Sequence, residues 1–191
     1  WTDINVKRPD KDDLVVSGSD VPVMTSLFND VKGEVLGLSH ESKIYRLSCA
    51  DGRITCELKG SVSSLLKKEE VNSVCIDREG RLWLNTTLGR ILRSDETMHK
   101  FENVSLDNEI DDCTVLGLLS DKNSVWIITN KKVLQYNIDS QTFQHYSTAD
   151  DNIMVDVFRY KAISLDGWGG LYVGGHRGFI HIRPGDRKSV V

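Results

Sequence analysis

Four times along the chain an apolar run gives way to a polar turn carrying Asp. A second run centred on a large side chain follows, then a short polar turn and a third run. The copies read VMTSLFNDVKGEVLGLSHESKIYRL from Val23, VNSVCIDREGRLWLNTTLGRILR from Val71, CTVLGLLSDKNSVWIITNKKVLQY from Cys113 and YKAISLDGWGGLYVGGHRGFIHI from Tyr160. Their large residues are Leu36, Trp83, Trp126 and Tyr172, spaced 47, 43 and 46 apart. No segment keeps a helical period over any length; 64–71 (SLLKKEEV) allows a turn or two of helix at most. Self-similarity at a period of about 40–50 residues marks an array of small β units.

The second copy shows how one unit is built. Residues 71–76 are apolar on both faces, as in a strand sandwiched between neighbouring sheets. In the 77–80 turn, Asp77 can bond its own backbone two residues on, and Gly80 is free to take positive φ. Leu82, Trp83 and Leu84 form the second strand, with Trp83 placed where two sheets would bury it. A turn at 87–89 leads into Ile91 and Leu92, and another at Asp95 and Glu96 into a fourth strand over 98–101. Four antiparallel strands joined by tight turns make a β-propeller blade. The predicted fold is therefore all-β, with about four blades over 23–58, 71–101, 113–146 and 160–191, as part of a propeller. Residues 1–22 read as the remnant of a preceding blade. The 102–112 and 148–158 segments read as polar, acidic inter-blade loops, and Pro184, Gly185 and Asp186 stand at the last third-to-fourth-strand turn.

Composition narrows the function more than the fold. Net charge is −4 with no basic stripe, so the footprint of a nucleic-acid binder is missing. Nothing approaches 18 consecutive apolar residues, so a membrane would be reached only through segments outside this sequence. A start at Trp1, with no signal-peptide pattern, reads as a piece of something longer. Cys75 and Cys113 belong to apolar strands. Cys49 and Cys56 flank a turn at Asp51 and Gly52, where a tight hairpin would pair Cys49 with residue 54, so a disulfide would need a bulged loop. The spacings match no zinc motif.

The pattern small–x–x–apolar–Asp–x–x–Gly–x–Leu–Trp–x–x–Thr–x–x–Gly–x–Ile resembles the repeat of the two-component regulator propeller. Residues 73–91 carry it best, through Asp77, Gly80, Leu82, Trp83, Thr86 and Gly89. Residues 117–134 carry Asp121, Val125, Trp126 and Thr129, with a turn one residue shorter and Asn123 and Lys132 at the glycine positions. Residues 162–180 carry Asp166, Gly169, Leu171, Tyr172 and Gly178, with Tyr for Trp and Gly175 for Thr; 26–44 keep Asp30, Gly33, Val35 and Leu36 alone. The closing GGHRGFIHIRPGD resembles the last repeat of such arrays. The resemblance implies the periplasmic region of a membrane-anchored hybrid two-component sensor, with immunoglobulin-like, transmembrane and histidine kinase parts downstream. It also implies a response to oligosaccharides and rings of usually seven blades.

Candidate chemistry is sparse. His40, His99, His145, His176 and His181 show no metal-ligand spacing, and His99, His145 and His181 fall in outer strands. No nucleophile elbow, Cys–His pair or phosphate-binding glycine loop before a helix occurs, and 167–175 reads as turn and close-packing glycines. The acidic groups around Asp10, Asp12 and Asp13, around Asp107, Glu109, Asp111 and Asp112, and at Asp150 and Asp151 are solvated loops or a calcium site. No catalytic residue, metal ligand or cofactor is assigned. Trp168 stands at a turn position held elsewhere by Lys32, Glu79 and Lys122, so it should be exposed, stacking on a sugar or partner, or else folded over its own blade. On the other face of the disc, Lys131, Lys132, His176 and Arg177, with Arg159 and Tyr160 on the last inter-blade loop, gather positive charge suited to an acidic or sulfated glycan. The reading is a non-catalytic, periplasmic, ligand-sensing or scaffold segment. Its rivals are a propeller-built glycan lyase or glycosidase, which needs two carboxylates, such as among Asp111, Asp112, Asp150 and Asp151, or a His/Tyr/Arg cluster to converge on one concave face, and a protein-interaction module. Uncovered end faces predict self-association.

Overall fold

The computed structural model describes residues 21–50, 53–104, 106, 113–147 and 158–183. They form four antiparallel sheets in chain order and one single-turn helix, α1 (Ser63–Leu66). The first sheet holds β1 (Met24–Asn29), β2 (Val35–Ser39), β3 (Lys43–Ala50) and β4 (Arg53–Ser61). The second holds β5 (Val71–Ile76), β6 (Leu82–Thr86), β7 (Ile91–Ser94) and β8 (Phe101–Asn103). The third holds β9 (Val115–Ser120), β10 (Ser124–Thr129), β11 (Lys132–Asn137) and β12 (Thr142–Ser147). The fourth holds β13 (Phe158–Leu165), β14 (Leu171–Gly175) and β15 (Gly178–Ile182). Every sheet is a simple meander, and the first strands β1, β5, β9 and β13 stand side by side. These are propeller blades. Three apolar cores join first to second, second to third and third to fourth, and none joins fourth to first, so the described arc is open.

Alternation along the second strands decides which core each side chain enters, because successive residues point to opposite faces. In β6, Leu82 and Leu84 face the first blade while Trp83 faces the third. In β10, Val125 and Ile127 face the second blade while Trp126 faces the fourth. Leu36 and Tyr172 hold the same register: Leu36 is buried against the second blade, and Tyr172 lies on the outer face of the fourth, partly exposed. The repeat's large residue is thus the knob that each blade offers to the next. Trp83 and Trp126 are 0% exposed, and burial of that kind is worth ~3 kcal/mol or more apiece before entropic costs.

The turn Asp does two jobs. Asp77 Oδ1 accepts the backbone N–H groups of Glu79 and Arg81, holding the turn, while Oδ2 accepts the Trp83 indole N–H at 2.8 Å and Arg81 Nε at 2.8 Å. Asp121 repeats the arrangement, with Oδ1 on Asn123 and Ser124 and Oδ2 on the Trp126 indole at 2.7 Å. The spacing of Asp and Trp therefore welds the first turn to the middle of the blade. Gly80, at φ +80°, closes its turn in the left-handed region as expected.

Some boundaries differ from expectation. Residues 98–101 do not begin the second blade's outer strand: Asp95 Oδ1 accepts the His99 and Lys100 N–H groups, drawing 95–100 into one wide turn with Met98 at φ +62° and delaying β8 to Phe101. His99 lies in that turn rather than in a strand. Arg159 and Tyr160 belong to β13, not to an inter-blade loop, because Phe158 already pairs with Gly175. The Cys49 register is the expected one, opposite Ile54, which sets Cys56 against Leu47, and both thiols are free. The readings made for 1–20, for the turn at Asp51 and Gly52, for most of 105–112 and 148–157, and for the turn at Pro184 lie outside the described residues.

Candidate functional site

Blade geometry sends the candidate residues to opposite ends of the sheets. The β10–β11 turn carries Lys131 beside Lys132, and the β14–β15 turn carries His176 and Arg177. Arg159, at the start of β13, lies at the same end, since Phe158 pairs with Gly175 and its N–H reaches the Asn130 carbonyl. His176, Arg177 and Arg159 are exposed. Tyr160 joins them through its backbone in β13, but its side chain lies outside the described residues, as do Asp111, Asp112, Asp150 and Asp151. Trp168 sits at the other end, in the β13–β14 turn, 93% exposed. Its N–H is held at 2.8 Å by Asp166 Oδ1, so the exposed ring stands on an anchored turn.

That second end carries a groove of about 1020 Å³ between the third and fourth blades, with Trp168 at its rim. The wall is the face that the third blade turns toward the fourth. Cross-strand pairing puts Trp126, Gln135 and Gln144 in one row on that face, and Ser124, Asn137 and Thr142 in the next. The same row in the first blade reads Leu36, Arg46 and Glu57, and in the second Trp83, Arg93 and Glu102. In both, Arg pairs with Glu: Arg46 lies 3.5 Å from Glu57 and 3.0 Å from Glu34, and Arg93 Nη2 bonds Glu102. Arg93 also covers the Trp83 ring at 5.4 Å and donates to the Tyr136 hydroxyl on the third blade. Burial lowers its pKa, but the hydrogen bond that it donates to Glu102 and neighbouring charge outweigh burial and the net shift is upward. The third blade has two neutral amides where the two preceding blades have an ion pair.

A second difference keeps the groove open. At the junction of the second and third blades, Arg78 reaches across to Asn123 Oδ1 at 2.8 Å and to Asp139. One junction further on, Gly169 stands where Asn123 stood, with no side chain to receive such a bridge.

Beside the groove, Asp166 is held below the usual carboxylate range, chiefly by the Gly170 N–H and then the Trp168 N–H, with the nearby His181 adding to the shift. With Tyr172 in place of Trp, no indole N–H reaches Asp166 Oδ2; His181 Nε2 approaches it at 3.5 Å instead and stacks on the Tyr172 ring at 4.1 Å. Among the described residues no group of three His, Cys, Asp or Glu could hold a metal ion. Burial pushes the Cys75 thiol pKa far up, so it is a core residue without nucleophilic character.

The groove residues Gln135 and Gln144 escaped the sequence reading. The signal was there: two glutamines replacing Arg and Glu in register across three repeats. It is visible only once strands are aligned by pairing, because β3 and β4 carry a longer hairpin than β7 and β8.

Neither a family model nor a curated sequence matches the chain. Solved structures do. The extracellular domain of BT4673 from B. thetaiotaomicron, described both as a one-component and as a hybrid two-component system, superposes with a TM-score of 0.62 at 18% identity, over 88% of this chain and 24% of that one. YCF48 bound to a D1 peptide gives 0.58 at 21% identity over 83% and 50%, and inactive virginiamycin B lyase from Staphylococcus aureus with quinupristin gives 0.54 at 17% over 86% and 54%. The chain spans about a quarter of the BT4673 domain. Likeness at these identities shows the fold, a set of propeller blades.

Proposed function

We propose that this chain is the ligand-sensing or scaffold part of the periplasmic region of a membrane-anchored signalling receptor of the two-component regulator propeller type, without catalysis of its own. The observation that carries this reading is the in-phase repeat itself. Asp and Trp, the residues that define the resemblance, are the pair that welds turn to strand in the second and third blades. Likeness to the extracellular domain of a bacterial signalling protein supports the same reading. Among the described residues no helix is long and apolar enough to cross a membrane.

The ligand is an oligosaccharide. The end that carries Lys131, Lys132, Arg159, His176 and Arg177 suits an acidic or sulfated one, because guanidinium and ammonium groups pair with sulfate and carboxylate oxygens. Binding of sulfated and uronate-containing oligosaccharides to the purified chain, with product analysis, tests this. Saturable binding that weakens in Lys132→Ala and Arg177→Ala, with the glycan recovered intact, is expected. Cleavage of the glycan would overturn the non-catalytic assignment. A complete gene with no signalling output domain would overturn the receptor.

A further inference from the structure

The groove between the third and fourth blades lies at the opposite end of the sheets from the basic cluster, and its chemistry is different. Its wall is neutral: Gln135 and Gln144 occupy the row filled by Arg46 and Glu57, or Arg93 and Glu102, in the two preceding blades. The two carboxylates that line it are already engaged, Asp121 by Asn123, Ser124 and the Trp126 indole, and Asp166 by Trp168, Gly170 and the adjacent His181. Beyond the Lys122 ammonium, which also lines the groove, an ionic ligand would find little charge left to pair with.

The groups that remain suit a hydroxyl-rich, uncharged molecule with an apolar face. Gln135 is fixed by donating to Ser124 Oγ at 2.8 Å and accepting from the Tyr146 hydroxyl at 3.2 Å, so the wall is pre-organised. Gln144, one strand out in the same row, is exposed, and its amide has no partner among the described residues. A primary amide offers a donor and an acceptor side by side, which matches a vicinal pair of hydroxyls. At the rim, Trp168 presents a flat ring on a turn anchored through Asp166. An aromatic face takes the C–H face of a pyranose or furanose ring, burying area with little side-chain entropy lost. The opening of about 1020 Å³ is at the upper end for small-molecule clefts, which run ~300–1,000 Å³.

We infer that this groove is a binding site for a neutral oligosaccharide, with Trp168 as the stacking platform and Gln144 as the hydroxyl-reading group. It is a second site, distinct from the basic end, and it does not depend on the receptor reading.

Titration of the whole chain with neutral hexasaccharides of glucose, xylose, mannose and arabinose, followed by calorimetry and tryptophan fluorescence, tests it. At least one should bind saturably and change the emission. Trp168→Ala should weaken that binding about tenfold, and Gln144→Ala about threefold. Lys132→Ala and Arg177→Ala should leave it unchanged. Trp168 is solvent-exposed, so its variant should keep the parent melting temperature, which separates lost binding from lost folding. Absence of binding by all four sugars, or binding indifferent to Trp168→Ala, overturns the proposal. A protein or peptide ligand that depends on Trp168 while the sugars fail overturns it too. Sulfated glycans bound at the basic end while all four neutral sugars fail to bind would uphold the receptor reading and still sink this one.

Discussion

At the scale of single residues, the bond from the turn Asp to the indole is where this fold is most brittle. Asp77 is fully buried and satisfies two backbone N–H groups, an indole and a guanidinium at once. Asp77→Ala strands the Trp83 N–H and leaves Arg81 without its buried partner, so a loss on the order of 3 kcal/mol is expected in urea unfolding. Asp30→Ala removes only turn bonds, since the Leu36 side chain has no N–H to offer, and should cost distinctly less in the same measurement. Asp166 gives a pH signature. Its folded carboxyl pKa lies below the unfolded value of ~3.9, so its contribution is fully present above that value and is lost as pH falls through the folded one. Melting curves of the parent and Asp166→Asn, taken from neutral pH down to about pH 3, should therefore converge on acidification. A gap that widens instead would mean that the carboxylate is not the group responsible.

At the scale of elements, strand positions were legible because burial on both faces leaves consecutive apolar residues, as in LWL of β6 and VWII of β10. The register of the Cys49 hairpin was legible too, because a tight turn leaves one choice. The start of β8 was not. A local side-chain cap by Asp95 competes with extending the strand, and composition does not reveal which wins. The neutral row at Gln135 was hidden for a related reason: a side chain's neighbours across a sheet depend on hairpin length, which the one-dimensional repeat leaves free. How blades touch at their outer parts was equally hidden. Gly60 in β4 runs against the second blade's 95–100 turn, and a Cβ there would fall 2.0 Å from the Met98 carbonyl oxygen. Backbone cannot give way as a flexible side chain would. Gly60→Ala should destabilise the chain by ~3 kcal/mol in chemical denaturation, whereas Gly167→Ala, where a Cβ meets nothing within 4 Å, should be near neutral.

At the scale of the whole molecule, the two end faces are halves of the same repeated joint. The fourth blade offers Tyr172, in the register that Trp83 and Trp126 occupy when covered, and on the same face Phe179, 61% exposed. The first blade offers Leu27 and Leu58, 64% and 56% exposed, on the face a preceding blade would cover. Sedimentation velocity of the chain should show concentration-dependent association, and Leu27→Asp or Phe179→Asp should suppress it; a parent that sediments as a monomer at every concentration would refute the expectation. Within a blade the strands are laced by backbone hydrogen bonds. Between blades the polar ties among the described residues are few, such as Ser120 Oγ to the Ile76 carbonyl at 2.6 Å and Arg93 to Tyr136. Tension applied across the arc would therefore not meet one cooperative body. A terminal blade, supported on one face only, would yield first, and its neighbour would then become terminal in turn. With repeats 47, 43 and 46 residues apart, stretching a single molecule should release contour length in successive steps of roughly 15 nm.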